Sequence, residues 1–288
     1  MTGVDKSSGS VVRRILLGAQ LRRLREERGI TRDAAGYAIR SSESKISRME
    51  LGRVSFKTRD VEDLLTLYGV ADERERTALL GLVREANTAG WWHSYTDVLP
   101  GWFPTYVGLE AAASSLEVYE VQFVHGLLQS PRYAEAVVTA GQPSLSSAEV
   151  ERRVGVRLER QKLLYAESAP RLHVVMDEGA ISRPYGGGEV FREQLLHLLD
   201  LTEMSNVTLQ IVPFDYGGHA ADSGAFTVLG FPDGDLSDVV YVEHLTSAIY
   251  LDKAEDVGRY HAAMDRLQRA ALTPAETQDM LRTRARRS

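Results

Sequence analysis

Glu43-Ser44-Lys45-Ile46-Ser47-Arg48-Met49-Glu50-Leu51-Gly52-Arg53 is the stretch on which the reading of this chain turns. Ser42, just before it, is a good helix N-cap, and Glu43 puts an acid in the first turn, where the helix dipole favours one. A short helix therefore runs through Glu50. Ile46 and Met49, three positions apart, point inward, which leaves Glu43, Ser44, Lys45, Ser47 and Arg48 on the outward face and N-terminal turn. These side-chain types bond to base edges and phosphates.

Before this helix, Thr31 caps an earlier one from Arg32 to Ile39, in which Gly36 allows another helix to cross closely, and Arg40 and Ser41 make the turn between the two. Before them Leu17, Leu21 and Leu24 fall at i, i+4 and i+7. They form an apolar stripe whose other faces carry Arg14, Arg22, Arg23, Arg25 and Arg28, and Gly29 ends that helix. After the quoted stretch, a helix from Lys57 or Thr58 to Gly69 turns Val61, Leu64, Leu65 and Tyr68 inward. Another, from Asp72, uses Leu79, Leu82, Val83 and Ala86. Five helices close a small core. Within it, a short helix, a tight turn and a second helix with a polar start is the helix-turn-helix geometry, which fits the roughly 12 Å major groove of DNA.

Charge supports this division. The 288 residues carry a net charge of −6, which by itself argues against a polyanion partner. Residues 1–59, however, hold 14 Lys and Arg against 6 Asp and Glu, a surplus of +8, while the rest hold 20 against 34, a deficit of −14. A basic head on an acidic body is expected when a small module meets a polyanion and a larger one does something else. With no Cys there is neither a disulfide framework nor a thiolate zinc site. No apolar run approaches the roughly 18 residues of a membrane span, and Met1 to Ser10 is too polar for a secretory signal. The expected location is the cytoplasm, with nucleoid association when bound to DNA.

The body changes period. Trp91, Trp92, Tyr95, Trp102, Phe103 and Tyr106 form an aromatic connector without interleaved Lys or Arg, unlike a platform for single-stranded nucleic acid. Helices are expected over 106–119, 131–139 and, behind the Ser146/Glu149 capping box, 146–166. Strands follow at 172–176, 207–212, 225–231, 239–243 and 248–251. A helix over 189–204 makes the first pair a parallel β-α-β unit, the later strands meander antiparallel, and helices near 253–271 and 274–286 close the chain. The expected class is α+β: an all-α helix-turn-helix bundle at 11–88, a connector at 89–108, and a mixed α/β domain with about five strands at 109–288. Seven scattered His give no metal spacing, and Tyr185-Gly186-Gly187-Gly188, which lacks a P-loop Lys and is followed by Glu189, reads as a loop rather than a phosphate cradle. No catalytic residue, metal or cofactor is expected.

The string from Ser44 to Arg53 resembles the Cro/repressor-type (xenobiotic response element, XRE) helix-turn-helix family: a small polar residue, a hydrophobe, Ser, Arg, a hydrophobe, Glu, any residue, Gly. Arg40 stands where the family commonly has the Gly of the turn, and Arg32 where many members have Gln. In the body, Trp91-Trp92-His93-Ser94-Tyr95, Tyr106-Val107-Gly108-Leu109-Glu110-Ala111, Gly126-Leu127-Leu128-Gln129 and Val242-Glu243-His244-Leu245 resemble the uncharacterised C-terminal domain of many actinobacterial XRE regulators. The resemblance implies a transcriptional regulator of the WhiJ or antitoxin-like type, with a small acidic partner protein.

The expected DNA contacts are Arg32, Arg40, Ser42, Glu43, Ser44, Lys45, Ser47, Arg48 and Arg53. The expected partners are double-stranded DNA and a second copy of the chain, because one helix-turn-helix reads too few base pairs to find a site in a genome. The body then dimerises, binds a partner or responds to a signal. A competing expectation makes the chain an antitoxin-like module that sequesters a small protein and autoregulates its own operon. An enzyme-derived sensor in the α/β body is the third.

Overall fold

The computed structural model describes residues 4–52, 54–87, 90–221, 224–232 and 237–287. The chain divides into two compact units, the first gathering the residues up to Ser94 together with Phe103–Ala112, the second Tyr95–Trp102 and the rest of the body. The aromatic stretch is thus shared between them.

The first unit holds α1 (Val4–Glu27), α2 (Arg32–Ala38), α3 (Glu43–Glu50), α4 (Thr58–Leu67), α5 (Glu73–Ala86) and α6 (Phe103–Glu110). Leu17, Leu21, Leu24, Ile46, Met49, Val61, Leu64, Leu65, Tyr68 and Val83 are buried in one core, as the helical periodicity requires. Asp72 caps α5 by accepting from the Arg74 and Glu75 amides at 2.7 and 3.0 Å. Asn87 exchanges two hydrogen bonds with the Phe56 backbone, 3.1 and 2.6 Å, and so ties the segment after α3 to the end of α5. One expectation fails. Arg25, placed by the sequence among the outward arginines, is buried, and the reason lies in α3 (below).

The second unit is built on a six-stranded sheet of order β3-β2-β1-β4-β5-β6. The strands are β1 (Ser115–Glu120), β2 (Arg171–Asp177), β3 (Val207–Val212), β4 (Phe226–Gly230), β5 (Val239–Glu243) and β6 (Ala248–Leu251). The helices are α7 (Pro131–Gly141), α8 (Ser147–Gln161), α9 (Gly188–Leu201), α10 (Ala254–Ala270) and α11 (Pro274–Arg287). The β2-α9-β3 unit is parallel, with Leu172 opposite Val207 and Val174 opposite Leu209, and β4, β5 and β6 meander antiparallel. The Ser146/Glu149 capping box is present. Together the units make an α+β protein.

The expectation of a helix over 106–119 is corrected. The helix ends at Glu110, and 115–120 is a strand, the sixth and an interior one, parallel to β2 and antiparallel to β4. Ala111-Ala112-Ala113 prolongs the helical pattern, yet Ala112 already closes on Leu109 in a turn. The alternation of Leu116 and Val118 with Glu117 and Tyr119 is too short to announce a strand buried on both faces. One face of the sheet carries Tyr119, Val175, Val212, Val228 and Val240 against Val257, Met264 and Leu267 of α10.

His125, just after β1, is 5% exposed, and its Nδ1 has no hydrogen-bond partner among the described residues. Burial, with repulsion from Arg160 second, pushes its pKa down from 6.5 to about 3. The folded state thus holds this ring neutral. Its contribution to stability is complete above the unfolded value of 6.5 and is lost as pH falls from 6.5 toward 3. A loss on the order of a few kcal/mol is expected over that window, and His125→Asn should flatten it in denaturant titrations at stepped pH. An unchanged pH profile in the variant would remove His125 as the cause.

Candidate nucleic-acid interface

Three close approaches fix α2 and α3. At Gly36 a Cβ would lie 2.9 Å from the Ser41 carbonyl oxygen, so the turn can fold back on α2 only because no side chain is there. The Ser41 amide then donates to Gly36 O at 2.8 Å. At Gly18 of α1 a Cβ would lie 2.4 Å from Met49 O and 2.7 Å from Glu50 O, so α1 crosses the end of α3 at backbone distance. At Gly52, with φ of +63°, a Cβ would meet Ile15 at 2.7 Å. Thr31 accepts from the Ala34 amide at 3.1 Å and Ser42 from the Lys45 amide at 3.2 Å, so both helices start with a satisfied cap. Ser42 thus spends its hydroxyl oxygen on α3 itself.

Arg40 is the one non-glycine with positive φ among the described residues, at 54°. It stands at the turn position flagged in the sequence, and its exposed side chain does nothing to offset the strain. Arg40→Gly is expected to raise stability by about 0.5–1 kcal/mol, the strain released exceeding the added freedom of the unfolded chain. Chemical denaturation of the two proteins checks this.

The outward face of α3 carries Glu43, Ser44 and Arg48 exposed, with Lys45 and Ser47 half-buried beside them. Arg48 makes a 3.3 Å bond to the Ser44 carbonyl and no ion pair among the described residues, so its guanidinium edge is open. Lys45 differs. Its Nζ lies 2.5 Å from Asp60 Oδ2 in the first turn of α4, and an incoming phosphate or base must compete with that carboxylate. Asp60→Asn is therefore expected to tighten binding to any duplex a few-fold and to steepen the dependence of log affinity on log salt by about one. Fluorescence anisotropy across a salt series measures both.

Glu50 points the other way. It is 5% exposed and accepts from Arg25 Nε at 2.5 Å, Arg25 Nη2 at 3.1 Å and Arg32 Nε at 2.9 Å, while Arg25 Nη1 reaches Ile30 O at 2.8 Å. Hydrogen bonding to Glu50 raises the Arg25 pKa above its ordinary value. This carboxylate locks α1, the start of α2 and the end of α3 together. Arg32, one of the expected DNA contacts, thus uses its Nε inside the protein; its side chain is 35% exposed. Arg53 lies outside the described residues. Sequence reasoning missed the buried Arg25–Glu50 pair, since Arg25 sits one position past the Leu24 edge of the stripe, and Tyr37 of α2, which is 87% exposed on the same motif.

Residues 16–79 match the family of a helix-turn-helix domain, and residues 103–283 match a domain of unknown function (DUF5753). No curated protein and no solved structure matches the chain. Since the second match covers more than half of its length, the chain belongs to the DUF5753 family, and it carries a helix-turn-helix domain ahead of that domain.

Proposed function

We propose that this protein is a sequence-specific DNA-binding transcriptional regulator of the XRE type that acts as a homodimer. The observation that carries the reading is the outward face of α3. Arg48, Ser44, Ser47 and Lys45 project from a capped helix that α1 and α2 hold through Gly18, Gly36 and Glu50, within residues 1–59, which carry a surplus of +8. Such a helix enters the major groove and turns its outward side chains toward base edges and phosphates. Arg48 is assigned to base or phosphate bonding, Lys45 to phosphate, Ser44 and Ser47 to weaker bonds, and Glu43 to acceptance from a cytosine amine. Arg40 and Arg32 lie close enough in sequence to the turn to serve as backbone contacts.

The C-terminal domain is assigned dimerisation and a regulatory input rather than catalysis. The actinobacterial, WhiJ-type affiliation, with a small acidic protein as partner, rests on the sequence resemblance. No helix among the described residues is long and apolar enough to cross a membrane. Retention of sheared host genomic DNA on the purified protein at two salt concentrations, followed by sequencing, tests the reading. A few enriched sites with a shared motif support it. Retention without sequence preference that vanishes at the higher salt overturns it, because only the electrostatic backbone term is then present.

A further inference from the structure

The second unit has a feature that the regulator reading leaves unused. β1 has a parallel neighbour on one side and an antiparallel one on the other, and the parallel strands β1, β2 and β3 end at the same edge. In open sheets with parallel strands, ligands commonly sit outside the carboxyl ends of those strands. Tyr119, next to last in β1, and Asp177, last in β2, stand there on one face, and the segment after β3 brings His219 over both. His219 Nε2 lies 3.0 Å from Tyr119 Oη and 3.7 Å from Asp177 Oδ2. Its Nδ1 accepts from the Ala221 amide at 3.3 Å. The ring proton is therefore on Nε2 and is donated to Tyr119 Oη, the nearer oxygen.

Asp177 is left with work undone. Its Oδ1 accepts from the Gly179 amide at 2.7 Å, but Oδ2 has no hydrogen bond among the described residues, and the side chain is 24% exposed. The adjacent Glu178 is satisfied: it holds Arg284 and accepts from the Phe214 amide at 2.8 Å. That bond sets the Phe214 ring at the mouth, 60% exposed. Gly179 lets ring and carboxylate approach one another, since a Cβ there would lie 2.8 Å from Asp177 Oδ1, 3.4 Å from Val121 O and 3.9 Å from Phe214 Cε1. Asp215 is exposed next to Phe214, and Tyr216 is 53% exposed one residue further on. The rim is acidic and aromatic, which suits a cation with an apolar body.

We propose that this edge of the sheet is a small-molecule site for an organic ammonium compound, its nitrogen donating to Asp177 Oδ2 and its apolar part lying against Phe214. The site belongs to the second unit alone and holds whether or not the helical unit reads DNA. The test uses the full chain and ligand-observed NMR titrations with 2-phenylethylamine, beside 2-phenylethanol and 3-phenylpropionate, which match its size without its charge. The amine should bind saturably, with the alcohol and the acid weaker by about tenfold or more. Asp177→Asn, which keeps an oxygen for the Gly179 amide, should weaken the amine about tenfold. Phe214→Ala, at an exposed position where folding is not at stake, should weaken it several-fold. The absence of saturable amine binding, equal binding of the acid, or an unchanged affinity in Phe214→Ala would each overturn the proposal.

Discussion

Replacing Glu50 by alanine is expected to destabilise the helical unit by about 3–5 kcal/mol, the usual cost of leaving one member of a buried ion pair without its partner. Arg25 is 6% exposed, and in the variant its guanidinium keeps Ile30 O and a 3.3 Å contact with Glu26 but loses both bonds to Glu50. Arg32 loses its anchor as well. The measurement is the denaturant midpoint of the first transition. The double variant Arg25→Met with Glu50→Leu separates the cost of breaking the pair from the worth of having it, and it should recover most of the loss, because desolvating two charges offsets much of their attraction. A Glu50→Ala protein as stable as the parent would show that the lock among α1, α2 and α3 is not energetic.

The other large effect concerns binding. Arg48→Ala is expected to lower affinity for the recovered site by about 1–3 kcal/mol, with tenfold for each 1.4 kcal/mol, and to relax sequence preference at one base position. Arg48 is exposed on α3 and bonded only to the Ser44 carbonyl among the described residues, so the substitution removes a reaching group without opening the core. Stability should stay within about 0.5 kcal/mol, as for surface changes in general. An unchanged gel-shift midpoint would strike Arg48 from the reading face.

Much of this was legible in the sequence because the head states its structure locally. The caps at Thr31 and Ser42, the inward pair Ile46 and Met49, and the stop at Gly69 each depend on neighbours within a turn or two, and each appears where the spacing puts it. What stayed hidden depends on partners far along the chain. Arg25 looks like any surface arginine until Glu50, 25 positions on, is found beneath it. Lys45 looks free until α4 delivers Asp60. β1 is an interior strand whose two partners lie more than fifty residues downstream, and its own six residues carry no turn signal after the alanines. The Tyr119, Asp177 and His219 cluster draws on three such distant segments, and no spacing rule brings them together.

Whether α3 reads DNA sequence is decided by the affinities of the parent and of the Lys45→Ala/Arg48→Ala double variant for the recovered operator and for a scrambled duplex, across a salt series. The variant is expected to lose the operator preference, while its binding to the scrambled duplex weakens more modestly and its salt dependence becomes shallower by about one, as loss of the Lys45 phosphate contact requires. A variant that keeps the parent's ratio of operator to scrambled affinity would contradict this expectation, and the reading surface would then lie elsewhere than on α3.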